Sequence, residues 1–164
     1  MPPKKNTDKK AKKKGKASAI LPDSPAKNYE SPQLHTVATK VVVESEAFIP
    51  QYAAGSSCVN LMANLEPDHS GVKKVTLPHR ATVQIDCGVS IELPAGYRAV
   101  VKALPELANI GLIVNDGPHV IDESNHGKVK VTVTNVGKQI IVINDGDPVA
   151  QMYVEPVYLF DWVI

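Results

Sequence analysis

Cysteine is scarce in this chain. Two occur in 164 residues, Cys58 and Cys87, with no CxxC pair and no metal-ligating cluster around them. That excludes a cysteine metal site and a dense disulfide framework, and both thiols are expected as small buried apolar groups. Long apolar runs are absent too: nothing approaches the ~18 residues a membrane-spanning helix needs. The cationic N-terminus has no apolar segment behind it, so no secretory signal is expected. No helical stripe exceeds two turns; the only candidate is one turn over residues 105–109. No aromatic is interleaved with the N-terminal lysines, so base stacking is not expected there. These absences point to an intracellular protein without a membrane span, built from something other than helices.

Charge is present but segregated. The formal net charge of +1 conceals a tail and a body of opposite sign. Residues 1–16 hold Lys4, Lys5, Lys9, Lys10, Lys12, Lys13, Lys14 and Lys16 against Asp8, while the remainder is net acidic. Residues 1–32 are rich in Lys, Pro, Ala and Ser, which cannot bury enough apolar surface to offset ordering entropy. They are expected as a disordered basic tail and linker, with residues 33–164 as one folded domain. The lysines suit three roles: a solvated tail, phosphate neutralisation on nucleic acid, or a nuclear localisation signal centred on residues 9–16.

After the tail, β-branched and alternating segments follow in quick succession. Strands are expected over 36–44, 55–63, 72–77, 81–93, 97–104, 110–114, 129–134, 139–143 and 148–153. Gly88 interrupts the longest and predicts a bulge. Asn115-Asp116-Gly117, Asn135-Val136-Gly137 and Asn144-Asp145-Gly146 supply turn chemistry, since Asn and Gly tolerate positive φ. Val129, Val131 and Val133 alternate with Lys130, Thr132 and Thr134, the pattern of a strand with one buried face. Residues 117–137 read as a hairpin, with Asp122 and Asn125 in its turn, followed by that long strand. Many short strands at this spacing indicate a β-sandwich, jelly roll or barrel.

Four blocks, in order, resemble the trimeric dUTP pyrophosphatases (dUTPases). They are YAAGSSCVNLMA at 52–63, TVQIDCGVSIELPAGYRA at 82–99, GPHVIDESNHGKVKVTVTNVG at 117–137, and DGDPVAQMYV at 145–154. The resemblance implies an all-β, dUTPase-like jelly-roll β-barrel that assembles as a homotrimer. It also implies a pocket in which Ile121, Asn125 and Gln151 occupy substrate-binding positions and Asp122 corresponds to the water-activating aspartate.

The same comparison exposes departures. The first motif carries Asn60 where the family has Asp. The phosphate-gripping Pro-Arg-Ser-Gly of the second corresponds to the stretch Leu104-Pro105-Glu106-Leu107-Ala108, and Glu106 inverts the charge that phosphate recognition uses. In the third, Asn125 stands where the family's Tyr packs on deoxyribose. In the fourth, Pro148 replaces Arg. No glycine follows Gly146, so the Gly-rich fifth motif is expected to be missing.

Hydrolysis needs a base for water, Mg²⁺ on the phosphates and donors for developing charge. With so many donors replaced, the leading expectation is non-catalytic: a dUTPase-fold structural or interaction module, such as a viral coat or accessory protein, placed in a virion or nucleus. Its basic tail would contact nucleic acid. Its apolar end, Phe160-Asp161-Trp162-Val163-Ile164, would dock on the trimer or a protein partner. Asp122 would then be vestigial, a turn residue bonding its own backbone. No cofactor is required on that reading. The alternative is a divergent dUTPase converting dUTP to dUMP and pyrophosphate with Mg²⁺, or a nucleotide sensor. Asp122 would then be the base, and Arg80, Arg98 and Lys102 the nearest substitute donors. His119 and His126 are expected at the surface, with no metal ligands among them.

Overall fold

The computed structural model describes residues 36–52 and 55–163. The basic tail and linker expected over 1–32, with the eight lysines of residues 1–16, lie outside them. Among the described residues eleven strands follow one another: β1 Lys40–Val43, β2 Gln51–Tyr52, β3 Val59–Met62, β4 Lys74–Leu77, β5 Thr82–Glu92, β6 Tyr97–Ala103, β7 Leu112–Val114, β8 His119–Asp122, β9 Lys128–Asn135, β10 Ile141–Asn144 and β11 Pro148–Pro156. One helical turn, α1 (Pro105–Asn109), sits where the sequence places it, with proline in its first turn where no N–H is missed. The all-β expectation holds. No described helix is long and apolar enough to cross a membrane.

All pairings between these strands are antiparallel. They form a four-stranded sheet (β1-β5-β9-β7), a five-stranded sheet (β2-β3-β11-β6-β8) and a β10-β4 pair, joined by one core. In β9, Val129, Val131 and Val133 turn into that core while Lys128 and Lys130 face out. Each such valine stabilises the fold by roughly 1.5–3 kcal/mol when fully buried. The alternation continues to Asn135, which is fully buried. Its Nδ2 donates to the carbonyls of Leu77 and Gln139, both at 2.8 Å, and its Oδ1 accepts from Gly137 N–H at 2.9 Å. The side chain thus closes the end of β4 onto the β9–β10 turn, and no polar atom is left unmet.

The bulge expected at Gly88 is present, between Asp86 and Ser90 in the β5–β9 ladder. Gly88 has φ +63°, and a Cβ there would lie 2.7 Å from the Phe48 ring. The position is closed to side chains by both backbone and packing. Phe48 belongs to a 3₁₀ turn over Glu46–Phe48 that the sequence pattern did not announce.

The hairpin expected over 117–137 requires correction. β8 pairs with β6, whereas β9 pairs with β5 and β7. The turn between β8 and β9 therefore passes from the five-stranded sheet to the four-stranded one. Turn chemistry marks where the chain reverses, but the ladder partner is decided by which apolar face each strand buries.

Candidate active site

β8 presents its residues alternately. Ile121 is 3% exposed and packs in the core opposite Ala99, while Asp122 faces out opposite Arg98. Ile121, a candidate ligand contact by sequence, thus has its side chain in the core, where it seats the strand that carries Asp122. Beyond Asp122 the chain is pinned three times. Asn125 N–H donates to the Asp122 carbonyl at 2.9 Å. Asn125 Oδ1 accepts from Gly127 N–H at 3.1 Å. The Glu123 carboxylate accepts from Gly96 N–H at 2.6 Å, tying the loop to the β5–β6 turn.

Asp122 itself accepts no side-chain hydrogen bond from any described residue. The turn role expected for it, bonding its own backbone, is performed by Asn125 instead. Asp122 lines an open pocket of about 360 Å³ with Gly96, Tyr97, Glu123, Ser124 and the apolar Val157 and Leu159. Asn125 is exposed beside this pocket and does not line it.

The outer face of the five-stranded sheet carries two further polar rows. Arg98 donates from Nε and Nη2 to one oxygen of Glu155, at 2.8 and 2.7 Å, and stands between Glu155 on β11 and Asp122 on β8. Gln151, opposite Asn60 on one side and Lys102 on the other, donates to the Ala103 carbonyl at 3.2 Å. Lys102 lies over the Tyr153 ring, 5.4 Å from its centroid, a cation–π contact. Those two side chains border a second pocket of about 440 Å³ with Pro118. Glu106 is exposed on α1. Sequence reasoning missed Glu155 and Glu123, because their partners are far away in the chain.

His119 Nδ1 pairs with Asp116 Oδ2 at 2.5 Å, and His126 is exposed. Among the described residues, no group of three or more His, Cys, Asp or Glu side chains could hold a metal ion. Both cysteines are buried and free, and burial, reinforced by Asp86, pushes the Cys87 thiol up to about 12.

A family model described as dUTPase matches residues 68–161. The chain is 37% identical over 119 residues to the deoxyuridine 5'-triphosphate nucleotidohydrolase of Desulfitobacterium hafniense, covering 71% of this chain and 75% of that protein. It is 33% identical over 116 residues to the protein of the same name from Anaplasma marginale, covering 70% and 75%. Among solved structures, the native EIAV dUTPase superposes with a TM-score of 0.61 at 22% identity, over 77% of this chain and 97% of that one. The dUTPase from Streptococcus mutans gives 0.62 at 19%, over 76% and 98%.

These matches overturn the expectation of a non-catalytic structural or interaction module. Relatives named as nucleotidohydrolases align over about 70% of the chain. They favour the hydrolytic alternative. That expectation counted lost donors position by position and kept the substitutes Arg80, Arg98 and Lys102 for the alternative reading. A coat, capsid or pseudoenzyme role, a nucleic-acid or protein partner, and a virion or nuclear location gain no support from these matches.

Proposed function

We propose, because the chain belongs to the dUTPase family, that it hydrolyses dUTP to dUMP and pyrophosphate with Asp122 as the base for the attacking water. The observation that carries this reading is the uncommitted Asp122 carboxylate on a pocket wall, in a loop where Glu123 and Asn125 are both engaged. A general base must lie within hydrogen-bond reach of the proton it takes, and must not be spent on another partner. Here Ile121 and the β6 ladder fix the backbone, Glu123 anchors the loop, and Asp122 is left to accept a proton from water directed at the α-phosphate.

No described cluster would hold Mg²⁺ as a resident ion. The residues therefore suit a metal that arrives already bound to the triphosphate, as part of the substrate. We further propose that the folded unit begins near residue 33 and works as a homotrimer. In support, Tyr158, Leu159, Phe160, Trp162 and Val163 are 81–94% exposed, an apolar run of the kind that marks a protein–protein contact. Phe160 and Trp162 touch each other, with ring centroids 5.5 Å apart.

The test is pyrophosphate release from Mg·dUTP by the purified protein beside Asp122→Ala. Turnover should fall by roughly 10² to 10⁴ in the variant, the range that general-base catalysis contributes. A wild-type protein with no turnover, or a variant that matches it, would overturn the reading.

A further inference from the structure

We infer that Arg98 is a substrate-contacting residue, a guanidinium held in reserve by Glu155 and delivered to the phosphate chain next to Asp122. The inference rests on the hydrolytic reading and names the cation that reading requires.

The chain contains two arginines, Arg80 and Arg98. The positions where the family resemblance leads one to expect phosphate-binding arginines hold Leu104-Pro105-Glu106 and Pro148, none of which can donate a charge-assisted hydrogen bond. Arg80 sits at φ +67° in the turn before β5, with its backbone N–H bonded to the Asn135 carbonyl. That turn belongs to the other sheet. Lys102 points outward on β6 as Arg98 does, but four residues further on, about 13 Å at strand rise. It is also already engaged with Tyr153.

Arg98 is the cation whose register places it directly opposite Asp122. Direct cross-strand partners on one face lie within side-chain reach. The Asp122–Arg98–Glu155 row therefore spans three adjacent strands, acid, base, acid. The Glu155 contact is a holding contact. Both guanidinium donors converge on a single carboxylate oxygen rather than forking over two, and the side chains are 42% and 31% exposed. Partly exposed pairs of this kind are weak and easily exchanged. A phosphate offers the same acceptor geometry with more charge. Without phosphate, Glu155 keeps Arg98 extended along the sheet; with it, the guanidinium can leave Glu155 and neutralise charge building on the phosphate that Asp122's water attacks.

The test compares Arg98→Gln and Glu155→Gln with wild type in binding α,β-imido-dUTP, which resists cleavage, and deoxyuridine, which has no phosphate. Arg98→Gln should weaken imido-dUTP by roughly 10- to 100-fold, the worth of a hydrogen bond to a charged group. Deoxyuridine binding, read by NMR titration, should be unchanged, and KM for dUTP should rise. Glu155→Gln should tighten imido-dUTP by releasing Arg98, and it reads the same contact if Arg98→Gln fails to fold. Equal weakening of both ligands by Arg98→Gln overturns the inference, as does unchanged imido-dUTP affinity in either variant. So does a wild-type protein that binds neither ligand. Wild-type binding without turnover would defeat the hydrolytic reading alone, and the ratio of the two affinities would still decide for Arg98.

Discussion

Glu123 and Gly96 are joined by a 2.6 Å hydrogen bond from the backbone N–H of one turn to the carboxylate of another. The contact clamps the Asp122 loop against the β5–β6 turn and occupies the acid next to Asp122 in sequence. Of two adjacent carboxylates, one is spent on architecture and the other accepts no side-chain hydrogen bond from any described residue.

Glu123→Ala should therefore loosen the loop without removing the base. A charge-assisted bond at a partly solvated site contributes about 1 kcal/mol, so kcat/KM should drop by roughly fivefold. The melting temperature should move little. Steady-state kinetics beside a thermal melt checks this; a loss as deep as that of Asp122→Ala would mean that Glu123 itself handles the proton.

Asn135→Ala should be among the most destabilising single changes. It strips three hydrogen bonds from a fully buried position and leaves the Leu77 and Gln139 carbonyls and the Gly137 N–H without partners. A cost of about 2–4 kcal/mol is expected, because each stranded buried group forfeits its desolvation energy. Urea unfolding measures it directly. A shift no larger than that of a surface substitution would show that the loops relax to satisfy themselves.

A charged network on the other sheet contributes to the pH response of stability. Lys128 pairs with Glu44 and lies 3.5 Å from Asp86, and Asn64 Nδ2 donates to Glu44 at 2.7 Å. The Lys128 hydrogen bond, then that of Asn64, holds the Glu44 carboxyl below its ordinary value of 4.5. The same Glu44 contact, with Asp86, holds the Lys128 ammonium above 10.5. A lowered acid contributes stability that is present above 4.5 and lost as pH falls through the folded value. A raised base contributes stability that is present below 10.5 and lost as pH rises through its folded value. The difference in urea midpoint between wild type and Lys128→Met should thus form a plateau between these limits and shrink on both sides. Both groups are exposed, so it should also shrink in high salt. A difference independent of pH would assign the effect to packing of the lysine stem.

Much of this molecule was legible in its residues. The Val129-Val131-Val133 alternation determined the buried face of β9. Gly88 announced the bulge, Pro105 the start of α1, and the four ordered blocks the family. These are local signals, fixed by backbone sterics and by the two-residue period of a strand. The replaced motif residues were equally plain, yet they misled when read as lost activity. Sequence shows which donors have gone and not which others stand nearby.

Tertiary structure alone decided the rest. β8 and β9 part company into different sheets although one turn joins them. Arg98 stands opposite Asp122 on one side and pairs with Glu155 on the other. Glu123 reaches back to Gly96 and so leaves its neighbour free. Each of these is a cross-strand meeting of residues distant in the chain. Its register is set by burying the core side chains on the opposite face, and no local pattern in the chain records that outcome.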